Sequence, residues 1–360
     1  MADQKAGGPL RIWAILGARA GDNNQVVALA EALGLPFEIK HLQYNRLHLI
    51  GPRLLGRSLA SLTRASRDLI RAEPPPDLTI SAGHRSVAVV QWLRNRSHRR
   101  MRSIHVGFPR VSPGRFDLVI ATPQYPIANH PNLLRVPYAL TRAVTAAPDA
   151  ADRELLRRLP VPRQLLIVGG PTLYWSLDEQ ALFGTLQEML AEAAKDGGSV
   201  LVTTSPRTPP SVRDELARMI AASDARTLLG EPGQPPHYPS LLEAADSIRV
   251  TADSVAMASD AVWTGKPISL VPVTKSALGR AVVALWGERR LYPQDLRSFW
   301  RVLERMGIGA SPALPRTSPR DEMTAVMGRV RPIIDAIDPA SWNARLAGHL
   351  KAFGDERGWS

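Results

Sequence analysis

Two doubly wound α/β domains facing across a cleft are what this sequence predicts. Three observations predict them. Short β-branched apolar runs alternate with helical patterns along most of the chain, which implies mostly parallel sheets covered on both faces. The alternation stops once, at 141–163, in a stretch rich in alanine, proline and charge, and then resumes. The chain also has 360 residues, beyond the length at which one hydrophobic core stops growing.

The elements follow in order. In the first half RIWAILG (11–17), FEIKHLQY (37–44), DLTISAG (77–83), SIHVGFP (103–109), DLVIATP (117–123) and LLRVPYAL (133–140) read as strands. They are short, apolar and bounded by turn residues. Helices are expected at 24–33, 53–72 and 84–97. In the second half QLLIVGG (164–170), SVLVTTS (199–205), ARTLLG (225–230), SIRVT (247–251) and ISLVPV (268–273) read as strands. Helices are expected there at 178–196, 211–223 and 254–264. The domains are therefore drawn at 1–150 and 151–290. An Arg-rich helical segment, 291–360, is expected to pack back toward the first.

Composition removes several classes of chemistry. The chain is 44% hydrophobic and 22% charged, as soluble globular proteins are. It has no cysteine, which excludes disulfides, thiolate catalysis and Cys-based zinc sites. It shows no H-x-x-H, H-E-x-x-H, D-x-D or G-x-S-x-G, so neither a dedicated metal site nor serine-hydrolase chemistry is expected. The start, MADQKAGGPLRIWAILGARAG, lacks a signal-peptide layout, and no run approaches the roughly 18 apolar residues of a membrane span. A cytoplasmic protein is expected. The formal charge of +12 attracts nucleic acid, anionic lipid and phosphorylated substrates alike. Without an aromatic RNP pattern, zinc finger or basic heptad, no specific nucleic-acid partner is expected.

The strand ends carry the functional signal. Gly17, Gly21, Asn24 and Gln25 follow the first strand, and Gly83, His84 and Arg85 follow the third. Glycines let backbone approach a ligand, and a helix N-terminus favours negative charge. This is neither G-x-G-x-x-G nor a Walker loop. In the second half Gly169, Gly170 and Thr172 follow one strand, Ser205, Arg207 and Thr208 another, and Thr251, Asp253 and Ser254 a third. One hydroxyl cluster is ordinarily a helix cap; three on one edge, with an arginine among them, suggest an anion pocket. Asp260 lies less than two turns beyond Ser254, so a ribose held by that carboxylate and a diphosphate held at the helix mouth would together make a nucleotide-sugar site. No metal would be needed if the helix dipole, hydroxyls and arginine stabilise the departing diphosphate.

The motifs GARAGDNNQ (17–25), SAGHR (81–85), FPR (108–110), PNLL (131–134), VGG (168–170), TTSPRTP (203–209) and VTADSVAMASDAVWTGKP (250–267) resemble those of the ELM-type mitochondrial fission family, a mostly bacterial group with a plant branch. The resemblance runs from residue 11 to about 275. It implies a GT-B-like fold: two Rossmann-like domains, with the donor on the second and the acceptor on the first. Two departures stand out. Asp260 occupies a place where a glutamate is expected, and Pro123-Gln124-Tyr125-Pro126 replaces a P-x-H-D. The general base is left open among His84, His105 and His130.

The activity so implied is metal-independent transfer of a sugar from a nucleoside-diphosphate-sugar, a co-substrate with no other cofactor. The acceptor would be a lipid-linked or cell-envelope glycoconjugate at the inner face of the cytoplasmic membrane. An interfacial helix at 53–73 and the basic cluster RNRSHRRMR (94–102) would meet anionic lipid, although a core-facing helix fits 53–73 equally. Two alternatives stand beside this: a nucleoside-diphosphate-sugar epimerase, which needs an acid/base pair in the cleft, and a non-catalytic membrane-associated scaffold.

Overall fold

The computed structural model describes residues 10–141, 150–230, 233–288 and 295–337. Strands β1 (Ile12–Leu16), β2 (Glu38–His41), β3 (Leu78–Ala82), β4 (Arg102–Val106), β5 (Leu118–Ala121) and β6 (Leu133–Arg135) form one parallel sheet, ordered β2-β1-β3-β4-β5-β6. Helices α1 (Ala20–Ala32), α2 (Pro52–Leu55), α3 (Arg64–Ala72) and α4 (Gly83–Arg96) accompany it. After α5 (Ala150–Arg157) come β7 (Arg163–Val168), β8 (Trp175–Leu177), α6 (Glu179–Asp196), β9 (Ser199–Thr204), α7 (Pro210–Ala221), β10 (Arg226–Gly230) and α8 (Tyr238–Ala244). Then follow β11 (Ser247–Thr251), α9 (Val255–Trp263), β12 (Ile268–Val271), β13 (Val273–Lys275), α10 (Ala277–Trp286), α11 (Arg297–Arg305) and α12 (Pro319–Asp335). The second sheet is ordered β10-β9-β7-β11-β12 and is also parallel. A small antiparallel pair, β8 with β13, stands apart from it.

Strand order places the crevices. In the first sheet the chain leaves β1 toward β2 and returns on the other side as β3; in the second, β7 and β11 flank the equivalent reversal. At such a switch point the connections diverge and open a pocket beyond the carboxyl ends. The glycine- and hydroxyl-rich turns fall at these two places.

Each sheet is packed on both faces. Trp13, Ile15, Val119 and α4 line a core on one side of the first sheet, and α6 and α7 cover one side of the second. The remaining faces share a continuous core that runs through both domains. Met323, Val326, Met327, Val330 and Ile334 of α12, at helical spacing, join that core, and Arg329 Nη2 donates to Pro131 O at 2.5 Å. Tyr138 and Trp263 meet edge-on, centroids 5.5 Å apart.

Several boundaries differ from expectation, each for a local reason. The helix expected at 53–72 is broken into α2 and α3, because Gly56 takes φ 60, ψ −116, which side chains rarely tolerate. Leu59 and Leu62 are drawn into the core between them, and Thr63 caps α3 by accepting from Ser66 N. No continuous interfacial helix therefore exists at 53–73. The strand expected at 133–140 ends at Arg135 because Pro137 has no N–H for the ladder. Pro272 likewise divides 268–273, and the chain turns into β13. Helix α1 begins at Ala20, earlier than expected, because Asn23 ties Gly17 at both its N and O (2.8 Å each) and closes the turn. The sequence reading missed α5, α8, α10 and the pair β8–β13. Residues 338–360 of the expected helical end lie outside the described residues.

Candidate functional site

The C-terminal edge is a closed hydrogen-bonded bed. Thr251 Oγ1 accepts from Gly169 N at 2.7 Å and donates to Asp253 Oδ1 at 2.6 Å. Asp253 Oδ2 accepts from Gly170 N at 3.0 Å and from Arg207 Nη2 at 3.2 Å. Arg207 Nη1 also donates to Gly170 O at 2.8 Å. Beneath them Thr208 Oγ1 accepts from Ser205 N at 2.9 Å and donates to Gly169 O at 2.5 Å. The glycines are sterically required. A Cβ on Gly169 would stand 2.2 Å from both Asp253 oxygens, and one on Gly170 would stand 2.3 Å from Arg207 O. Ser254 caps α9 by accepting from Met257 N at 3.4 Å. The amides that precede Met257 in the first turn have no intrahelical acceptor and favour negative charge. Gly265 closes the helix at φ +70.

The N-terminal edge is charged and less complete. Arg19, Asp22, His84 and Arg110 face the cleft. Asp22 is largely buried, and desolvation raises its carboxyl above the ordinary range although Arg19 and Arg85 oppose this. A Cβ on Gly83 would come within 3.0 Å of Asp22 Oδ2. Burial, and then the charges of Arg110, Arg19, Arg85 and His48, push the His84 imidazole down to about 4. It is therefore neutral at pH 7, with a lone pair free to accept a proton. Arg110 holds φ +58, a left-handed conformation that is costly for a long side chain. Gln124 is 8% exposed, and its Oε1 has no hydrogen-bond partner among the described residues. Tyr125 stacks on Phe108, centroids 5.7 Å apart.

Between these edges lies a cleft of about 710 Å³. Thr172, Arg207, Asp253, Ser254, Gly83 and His84, all singled out in the sequence, stand on its wall. Gly169, Gly170, Ser205, Thr208 and Thr251 form the bed one layer below. Gly17 and Arg85 line a side pocket of about 30 Å³ continuous with the cleft through Arg19, Asp22, Gly83 and His84. Gly21 marks where the domains meet: a Cβ there would sit 3.6 Å from Ala256 Cβ. Asn24 is exposed on α1, and Gln25 donates to Gly21 O within the helix; neither lines the cleft.

Three expectations are corrected here. Asp260 does not reach the cleft wall. It is buried and accepts from Thr141 Oγ1 and from the Tyr238 hydroxyl (3.2 Å), and desolvation lifts its carboxyl to about 6. It lies deeper in α9 than the mouth, on the side turned to residues 139–141. His105 is also removed from the cleft. It is fully buried on β4, bonded to Ser81 Oγ at 3.0 Å and packed on Phe116, with burial pushing it down to about 3. His130 accepts from Asn132 N at 3.0 Å and lines a different groove. Of the three histidines, His84 alone is on the cleft wall. Sequence reasoning missed Arg19, Asp22 and Arg110 as wall residues. The substituted Gln124 and Tyr125, noted only as departures, also stand there.

Two parallel-sheet domains that oppose their strand ends in this way define a protein of the GT-B fold. The chain belongs to the family described as Mitochondrial fission ELM1, whose profile matches residues 20–290. It is 24% identical over 298 residues to an uncharacterised protein of Rickettsia prowazekii, covering 72% of this chain and 82% of that one. It is 26% identical over 225 residues to the mitochondrial fission protein ELM1 of Arabidopsis thaliana, covering 54% of this chain and about half (51%) of the plant protein. Among solved structures it is similar in fold to a protein of Listeria monocytogenes provisionally named a UDP-N-acetylglucosamine 2-epimerase. That likeness has a TM-score of 0.51 and 14% identity, over 96% of this chain and 95% of the other. Among the described residues no helix is long and apolar enough to cross a membrane.

Proposed function

We propose that the cleft binds a nucleoside-diphosphate-sugar and that the protein transfers the sugar to a lipid-linked or cell-envelope glycoconjugate. The transfer uses arginine and helix-terminal charge in place of a metal ion. One observation carries this reading: the start of α9, with Ser254 and Arg207, faces Arg19, Arg110 and His84 across one cleft. A diphosphate is the group such an array of backbone N–H and guanidinium donors fits. The acceptor hydroxyl attacks the anomeric carbon, the bond from that carbon to the β-phosphate oxygen breaks, and the diphosphate leaves against Arg207 and the α9 amides. The hydroxyl proton passes to His84. Bound diphosphate offsets the arginine charges that depress the imidazole, so its proton affinity rises when donor is present. The peripheral position on the cytoplasmic membrane belongs to the same reading, because the acceptor is lipid-linked.

Thermal-shift titration with UDP, GDP, CMP and their sugars tests the reading first, and transfer of labelled sugar to a membrane extract tests it second. One of the nucleotides should stabilise the protein, and His84→Gln should abolish transfer while leaving that stabilisation intact. Stabilisation by none of them would overturn the reading and favour the scaffold role. An epimerase is the second reading, favoured by Asp22 and His84 lying in one cleft as an acid/base pair. It requires conversion of free nucleotide-sugar with no acceptor present.

A further inference from the structure

A second opening adjoins the cleft and has a different chemistry. Leu47, Leu49, Ile50 and Leu54 are all exposed, Leu49 by 79% and Leu54 by 81%. They lie in a stretch of chain with no acidic residue from 39 to 67, where Arg46, Arg53 and Arg57 are also exposed. Beside this rim is an open groove of about 1060 Å³, lined by Ile50, Leu54, Val111, Ile127, Arg53 and Arg110. Phe108 and Arg110 belong to both the groove and the cleft, so the two openings join there. Arg57 Nη1 donates to Asn95 Oδ1 at 3.4 Å, which brings the rim beside the end of α4, where Arg96, Arg99 and Arg100 are exposed.

We propose that residues 46–57 rest on an anionic bilayer and that the groove takes the hydrocarbon of one membrane lipid, its charged head meeting Arg110 at the edge of the cleft. Charge and polarity together select this occupant. A contiguous apolar rim marks an interaction surface, and leucines interleaved with arginines match the boundary between acyl chains and anionic head groups. A second copy of the chain would bring like charges together, and a water-soluble acceptor leaves Leu49 and Leu54 without a counterpart. Only the fate of the head group rests on the transfer reading above; the binding itself does not.

Flotation with vesicles of phosphatidylcholine, alone or equimolar with phosphatidylglycerol, tests the docking. The full chain should float with the anionic vesicles and not with the neutral ones. The double substitution Leu49→Asp, Leu54→Asp should lower partitioning by roughly tenfold or more, since two leucines that would enter the bilayer become carboxylates. Both side chains are exposed, so melting temperature and any nucleotide-induced shift should stay as in the parent. Absence of flotation, equal flotation with both vesicles, or undiminished flotation of the double variant would each overturn the docking. The groove is tested by extraction of a fluorescent phosphatidylglycerol. Ala128→Trp, which narrows the groove from an exposed position, should block extraction and leave flotation intact; unchanged extraction would overturn the groove as a lipid site. Flotation and extraction without any nucleotide response would sink the transfer reading and leave this one standing.

Discussion

The two walls of the cleft are built on opposite principles. On the C-terminal wall Gly169, Gly170, Thr251, Asp253, Arg207 and Thr208 satisfy one another, so the surface exists in finished form whether or not a ligand is present. On the N-terminal wall burial raises the Asp22 carboxyl and lowers the His84 imidazole, Arg110 is in a strained conformation, and Gln124 has a buried oxygen unpaired among the described residues. A satisfied network is preorganised and recognises one constant group without reorganising. An unsatisfied wall keeps polar capacity that a bound molecule can use. Under the proposed function, the nucleoside diphosphate would lie on the first wall and the reacting sugar and acceptor on the second.

That contrast can be broken by substitution. The largest effect is expected for Gly169→Ala, whose Cβ would overlap the Asp253 carboxylate; denaturant unfolding should show a loss of about 3 kcal/mol. A loss below about 1 kcal/mol would mean that the bed yields and is not preformed. Next, Arg207→Ala removes a guanidinium bonded to Asp253 and Gly170, leaving other donors on that carboxylate. Nucleotide affinity by calorimetry should fall by about 2 kcal/mol, the worth of a charge-assisted bond. Gln124→Leu is smaller and opposite in kind. The empty protein should be no less stable, because an unpaired buried oxygen disappears, while discrimination between nucleotide-sugar and bare nucleotide should shrink by about 1 kcal/mol.

Asp260→Asn differs in kind, because it changes a slope with pH and leaves the cleft untouched. The carboxyl titrates at 3.8 ordinarily and at about 6 in the folded protein. Between those values the folded state holds the additional proton, so this residue makes stability fall as pH rises from about 4 to about 6, and level off above. The amide cannot titrate; its oxygen accepts from one of the Thr141 and Tyr238 hydroxyls, and its NH2 donates to the other. The variant should lose that part of the pH dependence and be at least as stable at pH 7. An unchanged melting profile across this range would show that the burial of Asp260 is relieved in solution.

The sheets were legible in the sequence because buried parallel strands carry continuous β-branched runs, and every long strand of both domains was marked by one. The strand-end turns were legible because glycine and hydroxyl residues cluster where backbone must come close. What failed was geometry that depends on distant partners. Asp260 sits on the proper helix at a suitable spacing, but Thr141 and Tyr238, 119 and 22 residues away, claim it. His105 and His84 are equally visible as letters; the registry of Ser81 opposite His105 buries one, while helix α4 presents the other. Arg110 gave no local sign, since nothing in Phe-Pro-Arg announces a positive φ. The breaks at Gly56, Pro137 and Pro272 had a sign that periodicity overrode.

Helix α9 is held at its rear as firmly as it is open at its mouth. Ser259 Oγ accepts from Ala139 N at 2.9 Å, Trp263 Nε1 donates to Ala139 O at 2.7 Å, and Asp260 holds Thr141. Those partners belong to the irregular stretch that follows β6 in the first domain. With nine residues the helix is a rod of about 13 Å, bonded to that stretch at one end and lining the cleft with Ser254 and Val255 at the other. The same nine residues thus carry the wall of the cleft and the seam between the sheets, so a substitution at the rear of α9 is felt at its mouth.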